Sequence, residues 1–145
     1  MKLQGNYLLP GSREQVWQLL TDPARLAKLL PGAEELIPDG PDRYRVSVKF
    51  GVAAITGKYA GAVELSEKKP PDSLRLHVEG KGIPGFMRGD GKIELHQKGK
   101  QTEVQYQGEA QVGGVIAGVG QRMIESAAKK IIQQLFESAA AQLKS

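Results

Sequence analysis

The sequence predicts an α+β fold: a curved antiparallel sheet of six or seven strands gripping one long C-terminal helix, with two short helices after the first strand. Three observations carry this. Residues 44–112 form a run of short segments with period-two alternation, broken by Gly, Pro and Lys-rich turns. Glycines stand inside those segments at Gly51, Gly57, Gly61, Gly80, Gly82, Gly89, Gly91 and Gly108. Such glycines are costly unless the strands bulge or coil, so the sheet must bend strongly. From Val115 onward, Ile116, Val119, Met123, Ala127, Ile131, Leu135 and Ala139 recur at helical spacing with no proline among them. That pattern predicts an uninterrupted helix of about thirty residues, about 45 Å long. A curved sheet holding such a helix often encloses an apolar space, so apolar ligand binding is expected ahead of bond-making chemistry.

The elements follow in order. Residues 3–9 alternate loosely and predict an edge strand that ends at Pro10-Gly11. Ser12 is placed as an N-cap, and Gln15 completes a capping box. The helix behind it carries Val16, Trp17, Leu19 and Leu20 and stops at Thr21. Asp22-Pro23 restarts it, an aspartate cap with proline at the first helical position. Leu26, Leu29 and Leu30 give the second helix its apolar face, and Pro31-Gly32 ends it. Tyr44, Val46, Val48 and Phe50 alternate with Arg45, Ser47 and Lys49, a half-buried strand. Ile55, Gly57, Tyr59, Gly61, Val63 and Leu65 repeat the pattern before Lys69-Pro70-Pro71-Asp72 turns the chain. Leu74, Leu76 and Val78 alternate with Arg75, His77 and Glu79. Ile83-Pro84-Gly85 breaks the next strand, which Ile93 and Leu95 resume. Lys98-Gly99-Lys100 makes a hairpin into Val104, Tyr106, Ala110 and Val112, and Gly113-Gly114 leads to the helix.

With 145 residues, 40% apolar and 25% charged, residues 1–145 are expected to form a single domain around one core. The absence of cysteine excludes disulfides, thiolate metal sites and thiol redox chemistry. The start, Met1-Lys2-Leu3-Gln4-Gly5, lacks the charged and apolar regions of a secretory signal. No apolar run approaches the ~20 residues that span a bilayer. A cytoplasmic location is therefore expected, with at most peripheral contact at the inner face of the cell membrane. The net charge of +4 is mild, and no nucleic-acid partner is expected from it.

Gly80-Lys81-Gly82-Ile83-Pro84-Gly85 matches the letters of a dinucleotide fingerprint. A proline lies inside it and strand pattern follows it, whereas that motif must open a helix. His77 and His96 are the only histidines, on different strands and without a nearby acidic cluster, so both are expected to face solvent and no metal site is expected. Glu64, Glu79, Glu94 and Glu109 fall at outward parity. The pattern nominates no catalytic residue. An enzyme would need a titratable side chain turned into the cavity, such as a buried His77 or Glu79 with a shifted pKa.

The candidate pocket residues are apolar. Phe50, Tyr59, Phe86, Met87 and Tyr106 are the candidates on the sheet, and Val115, Ile116, Val119 and Met123 on the facing helix. Gly113, Gly114, Ala117, Gly118 and Gly120 cluster at the helix start, where a filled core would place bulk. A pliable helix start beside Gly85-Phe86-Met87-Arg88-Gly89 is expected to act as a gate. Tyr59, Tyr106, Lys58 and Arg122 are candidates for the few polar groups a ligand head requires.

Several segments carry a family resemblance. They are Val16-Trp17-Gln18-Leu19-Leu20-Thr21-Asp22-Pro23, Leu30-Pro31-Gly32-Ala33-Glu34, Gly57-Lys58-Tyr59-Ala60-Gly61, and Gly80-Lys81-Gly82 with Gly85-Phe86. The most specific is the stretch from Ala110 to Ile124, with its Val112-Gly113-Gly114 and Ala117-Gly118-Val119-Gly120-Gln121-Arg122. The chain resembles the CoxG family of carbon monoxide dehydrogenase subunits, within the START-like (SRPBCC) helix-grip superfamily. The resemblance implies a non-catalytic accessory protein of molybdenum-containing carbon monoxide dehydrogenases or related oxidoreductases. It implies no covalently bound cofactor. The implied ligand is a respiratory quinone, menaquinone-like, or another polyprenyl lipid, carried in an apolar cavity. The implied partners are that hydrophobic molecule, the dehydrogenase and a transient membrane surface. Many members continue into a linker and an amphipathic C-terminal anchor, whereas this sequence stops at Gln142-Leu143-Lys144-Ser145 as the helix finishes. Either the member is short or an anchor has been removed, and transient membrane contact is the expectation. The same architecture hosts polyketide cyclases and dehydratases, which makes an enzyme the alternative. A ligand-free factor for assembly or membrane recruitment of the dehydrogenase is the third reading.

Overall fold

The computed structural model describes residues 1–51 and 55–144; residues 52–54 and Ser145 lie outside the described residues. Strand β1 (Lys2–Pro10) leads into helices α1 (Arg13–Thr21) and α2 (Pro23–Leu29). Six strands follow: β2 (Ala33–Pro38), β3 (Arg43–Phe50), β4 (Gly57–Lys69), β5 (Ser73–Gly82), β6 (Gly85–Lys98) and β7 (Gln101–Gly113). A 3-10 turn at Val115–Val119 precedes helix α3 (Gln121–Lys144). The seven strands make one sheet in the order β1-β7-β6-β5-β4-β3-β2, with every neighbouring pair antiparallel. β1 and β2 are its edges.

The two short helices start as their caps dictate. Ser12 Oγ accepts from the Gln15 amide at 3.2 Å, and the Ser12 amide donates to Gln15 Oε1 at 2.8 Å. Asp22 Oδ1 accepts from the Ala24 amide at 3.1 Å, with Pro23 at the first helical position. These bonds satisfy amides that have no partner within the helix.

Three expectations need correction. The long helix is two elements, because Gly120 adopts φ +98, outside helical geometry and cheap only for glycine. α3 therefore begins at Gln121 and has 24 residues, about 36 Å. Ile83-Pro84 does not interrupt a strand but forms the tip of the β5–β6 hairpin, with Gly82 opposite Gly85. β2 has no counterpart among the expected strands. Its Glu34-Glu35 pair and a register shift between Ala33 and Glu35 conceal the alternation.

The interior holds two apolar clusters. The larger joins α1, α2 and α3 to the sheet through Leu9, Val16, Leu19, Leu20, Leu26, Leu29, Tyr44, Leu95, Val104, Phe136 and Ala139. Within it Tyr7 stacks on Phe136 at 4.3 Å between ring centres, and Tyr106 lies 5.8 Å from the same ring. The smaller cluster, at the hairpin end of the sheet, contains Val48, Ile55, Tyr59, Ile116 and Ala127. Buried Thr102 closes the larger end by donating from Oγ1 to the Gly11 carbonyl at 2.8 Å.

Candidate functional site

The register of the sheet defines what lies between the two clusters. Inward-facing residues fall into rows across the strands. Val46, Gly61, Gly80, Met87 and Val112 share one row, and Tyr44, Val63, Val78, Gly89 and Ala110 the next. A third row holds Leu65, Leu76, Gly91, Gly108 and Leu3. The middle of the inner face is thus floored by five glycines and an alanine: Gly61, Gly80, Gly89, Gly91, Gly108 and Ala110. For Gly80, Gly89 and Gly91, the atoms nearest to an added Cβ all belong to the sheet and none to α3. The α3 backbone approaches β1, α1 and α2 instead.

Exposure agrees with the missing bulk. Val46, Leu76, Val78, Met87, Ile93 and Val112 all face inward, yet all remain half-buried, as does Ile131 on α3. Apolar residues at the centre of a filled interior would be sealed. The two clusters are sealed, and between them the inner face of the sheet opposite α3 carries small residues and half-buried apolar side chains, the candidate apolar cleft. Sequence reasoning assigned Val46, Leu76, Val78 and Val112 to strands but not to a site. The signal available was the glycine content of β5 to β7, which it used only to argue curvature.

The nine candidate residues separate. Phe50, Tyr59, Met87 and Ile116 come together at the hairpin end, Phe50 and Tyr59 with ring centres 5.7 Å apart. Tyr59 is buried; its hydroxyl donates to the Ile55 carbonyl at 3.1 Å, and burial raises its pKa. Tyr106 belongs to the other cluster, where Gly5 makes room for its ring and burial, then Tyr7, raises its pKa. Phe86 lies on the outer face, in the row of Ser47, Ala60 and Lys81, with its ring over Gly113. Adjacent residues of a strand point to opposite faces, so Phe86 and Met87 cannot line one cleft. Val115, Val119 and Met123 are exposed: within the 3-10 segment only Ile116 is buried, and Met123, past the break at Gly120, lies in the first turn of α3, where Ile124 is the buried residue. Among the candidate polar groups, Lys58 and Arg122 are both exposed, with Lys58 4.0 Å from Glu34.

The charged residues of β3 and of β5 to β7 fall at outer-face positions. Arg43, Glu64, His77, Asp90 and Glu109 form one outer row. The expectation that His77 lacks acidic neighbours is corrected by the register, which sets Asp90 directly across from it. His77 Nδ1 donates to Asp90 Oδ1 at 2.7 Å, and Nε2 lies 3.6 Å from Glu79. The hydrogen bond to Asp90 is the main cause of a raised imidazole pKa, partial burial opposes it, and Glu79 adds to it. His96 Nε2 lies 3.3 Å from Glu94. Among the described residues no three acidic or histidine side chains converge as a metal site. A shallow outer groove of about 400 Å³ is lined by Gln4, Asn6, Lys92, Glu94, Gln105 and Gln107 among others. Its polar walls suit water rather than an apolar ligand.

A seven-stranded antiparallel sheet with a long C-terminal helix is the architecture of the START-like helix-grip fold class. A START superfamily protein from Mycobacterium smegmatis superposes with a TM-score of 0.81 at 11% identity, over 99% of this chain and 97% of that one. The chain belongs to the CoxG family of carbon monoxide dehydrogenase subunits, whose profile matches residues 5–144. A conserved protein from Geobacillus kaustophilus is 35% identical with a TM-score of 0.96, over 99% of this chain and 95% of its own. A Chromobacterium violaceum protein aligns at 18% identity and a TM-score of 0.75, over 100% of this chain and 99% of its own. No curated protein matches the chain. Family and fold together suggest an accessory protein that binds a hydrophobic ligand.

Proposed function

We propose that this protein binds a respiratory quinone, menaquinone-like, in the cleft between sheet and α3. It carries the quinone between the membrane and a molybdenum-containing carbon monoxide dehydrogenase or a related oxidoreductase. The observation that carries this reading is the glycine floor of the inner face beneath half-buried Val46, Leu76, Val78 and Val112. Burying a polyprenyl tail against such surface is favourable by roughly 25 cal/mol per Å² of apolar area. The cleft-facing rows carry no titratable group apart from the Tyr44 phenol, which favours holding a lipophilic molecule over transforming it. Among the described residues no helix is long and apolar enough to cross a membrane, so contact with the bilayer is peripheral in this reading.

The test is solvent extraction of the purified protein followed by mass spectrometry, with added menaquinone and ubiquinone as a second arm. Near-stoichiometric quinone, and a melting temperature that rises with added quinone, are expected. Saturation at a hundredfold excess over Kd would add about 2.7 kcal/mol. Gly80→Leu should fill the cleft, because a Cβ there meets only ordinary contacts; uptake should fall while the fold persists. No lipid recovered and no uptake of either quinone would sink the proposal.

A further inference from the structure

One end of the molecule departs from an ordinary polar surface. Ile83, at the tip of the β5–β6 hairpin, is 99% exposed. The Pro84 carbonyl beside it accepts from the Ile116 amide at 2.7 Å, which ties the tip to the 3-10 turn. On that turn and the start of α3, Val115 is 80%, Val119 46% and Met123 52% exposed. Lone exposed apolar residues are common, but four gathered on elements that are bonded together form a patch that calls for an occupant. The patch is not a loose loop. Gly85 and Gly114 pack backbone to backbone, so closely that a Cβ on Gly114 would fall 2.7 Å from the Gly85 Cα.

Charge identifies the occupant. Residues 80–89 and 111–124 contain Lys81, Arg88 and Arg122 and no aspartate or glutamate. Elsewhere on the sheet Arg43, Arg45 and Arg75 pair with carboxylates. Lys81, Arg88 and Arg122 are exposed and pair with no described residue. A second copy meeting this face about a two-fold axis would set Lys81 and Arg122 against like charges, and Glu79, across the strands from Arg88, is the acidic group at the margin of the patch. Apolar side chains ringed by unpaired cations match a surface that is apolar inside and anionic outside.

We infer that this end of the molecule docks on an anionic phospholipid bilayer. Ile83, Val115, Val119 and Met123 enter the interfacial layer, and Lys81, Arg88 and Arg122 lie among the headgroup phosphates. The docking stands on the patch alone. Its use, presenting the hairpin end of the cleft under Ile116 to the acyl chains, rests on the carrier reading above.

The experiment is flotation of the full chain with quinone-free vesicles of phosphatidylcholine alone or of equimolar phosphatidylcholine and phosphatidylglycerol. Binding to the anionic vesicles only, with release by salt, is expected. Ile83→Asp and Val115→Asp should each weaken it about tenfold or more. Both side chains are exposed, so an unchanged thermal melt would show that the fold survives. Neutralising Lys81, Arg88 and Arg122 together should weaken it roughly a hundredfold. No flotation with either vesicle, or flotation untouched by these variants, would overturn the inference. So would a concentration-dependent dimer that Ile83→Asp dissolves, which would assign the face to a second copy. Because the vesicles hold no quinone, failed docking with intact quinone uptake would remove this inference alone, and the reverse result would remove only the carrier reading.

Discussion

Gly61 and Gly80 are paired across β4 and β5 on the floor of the cleft, yet they differ in what they permit. A Cβ on Gly61 would fall 1.8 Å from the Glu79 carbonyl, so the strands must part. Gly61→Ala should cost about 1–3 kcal/mol in a denaturant melt. At Gly80 the nearest contacts are 3.7 Å and more, and alanine should stay within about 1 kcal/mol of the parent in the same melt. One glycine is required by the backbone and the other is free to serve the cleft. His77 makes a second residue-scale prediction. Its folded pKa is raised by Asp90, so the imidazolium is favoured in the fold and the added stability is complete below the unfolded value of about 6.5. That stability is lost as pH rises through the raised folded value. The side chain is 36% exposed, and solvent screening holds the effect under about 1 kcal/mol. An NMR titration should show Asp90→Asn lowering the His77 pKa toward the unfolded value; an unchanged titration would refute the assignment to Asp90.

The ends of elements were legible in the chain where a side chain or a proline sets them locally. Ser12 and Gln15 announce α1, and Asp22-Pro23 announces α2, because each cap is made within a few residues. Ser12→Ala should remove the capping bond and lower stability by about 1 kcal/mol, read from a thermal melt. The break before α3 was not legible. Val115 to Val119 keep helical spacing, and the backbone conformation at Gly120, φ +98, separates the turn from the helix. Gly118 tests whether this turn gates the cleft. A Cβ there enters open space, so alanine should stiffen the segment by up to ~1 kcal/mol and slow ligand exchange without distorting the fold. Exchange kinetics equal to the parent's would end the gating idea. β2 escaped detection because an edge strand with one side unpaired tolerates Glu34-Glu35 and an irregular register.

Across the whole molecule the two clusters divide the work. The larger one, built on Phe136 stacked with Tyr7, holds the helices to the sheet. Phe136→Ala should cost about 3–5 kcal/mol, a large share of the ~5–15 kcal/mol that a domain commands. Ile116 seals the smaller cluster at the hairpin end of the cleft. Ile116→Ala should cost no more than about 2–5 kcal/mol while weakening ligand retention measurably in the extraction assay. Retention unchanged in Ile116→Ala would place the ligand elsewhere.

The sequence by itself determined the fold class, the outward placement of the charged residues and the apolar character of the interior. Strand alternation, caps and glycine content are local signals, each written within a few residues. Only the tertiary structure decided which apolar residues share a space. Tyr59 and Tyr106 both read as buried aromatics, but cross-strand register sends them to opposite ends of the sheet. Phe86 and Met87 are neighbours in sequence, and the pleat sends them to opposite faces. Val115, Val119 and Met123 fit a helical stripe, but the positive φ at Gly120 divides them between two elements, and all three are exposed. Pairing register and backbone handedness are set by contacts between distant segments, so they are absent from any local pattern in the chain.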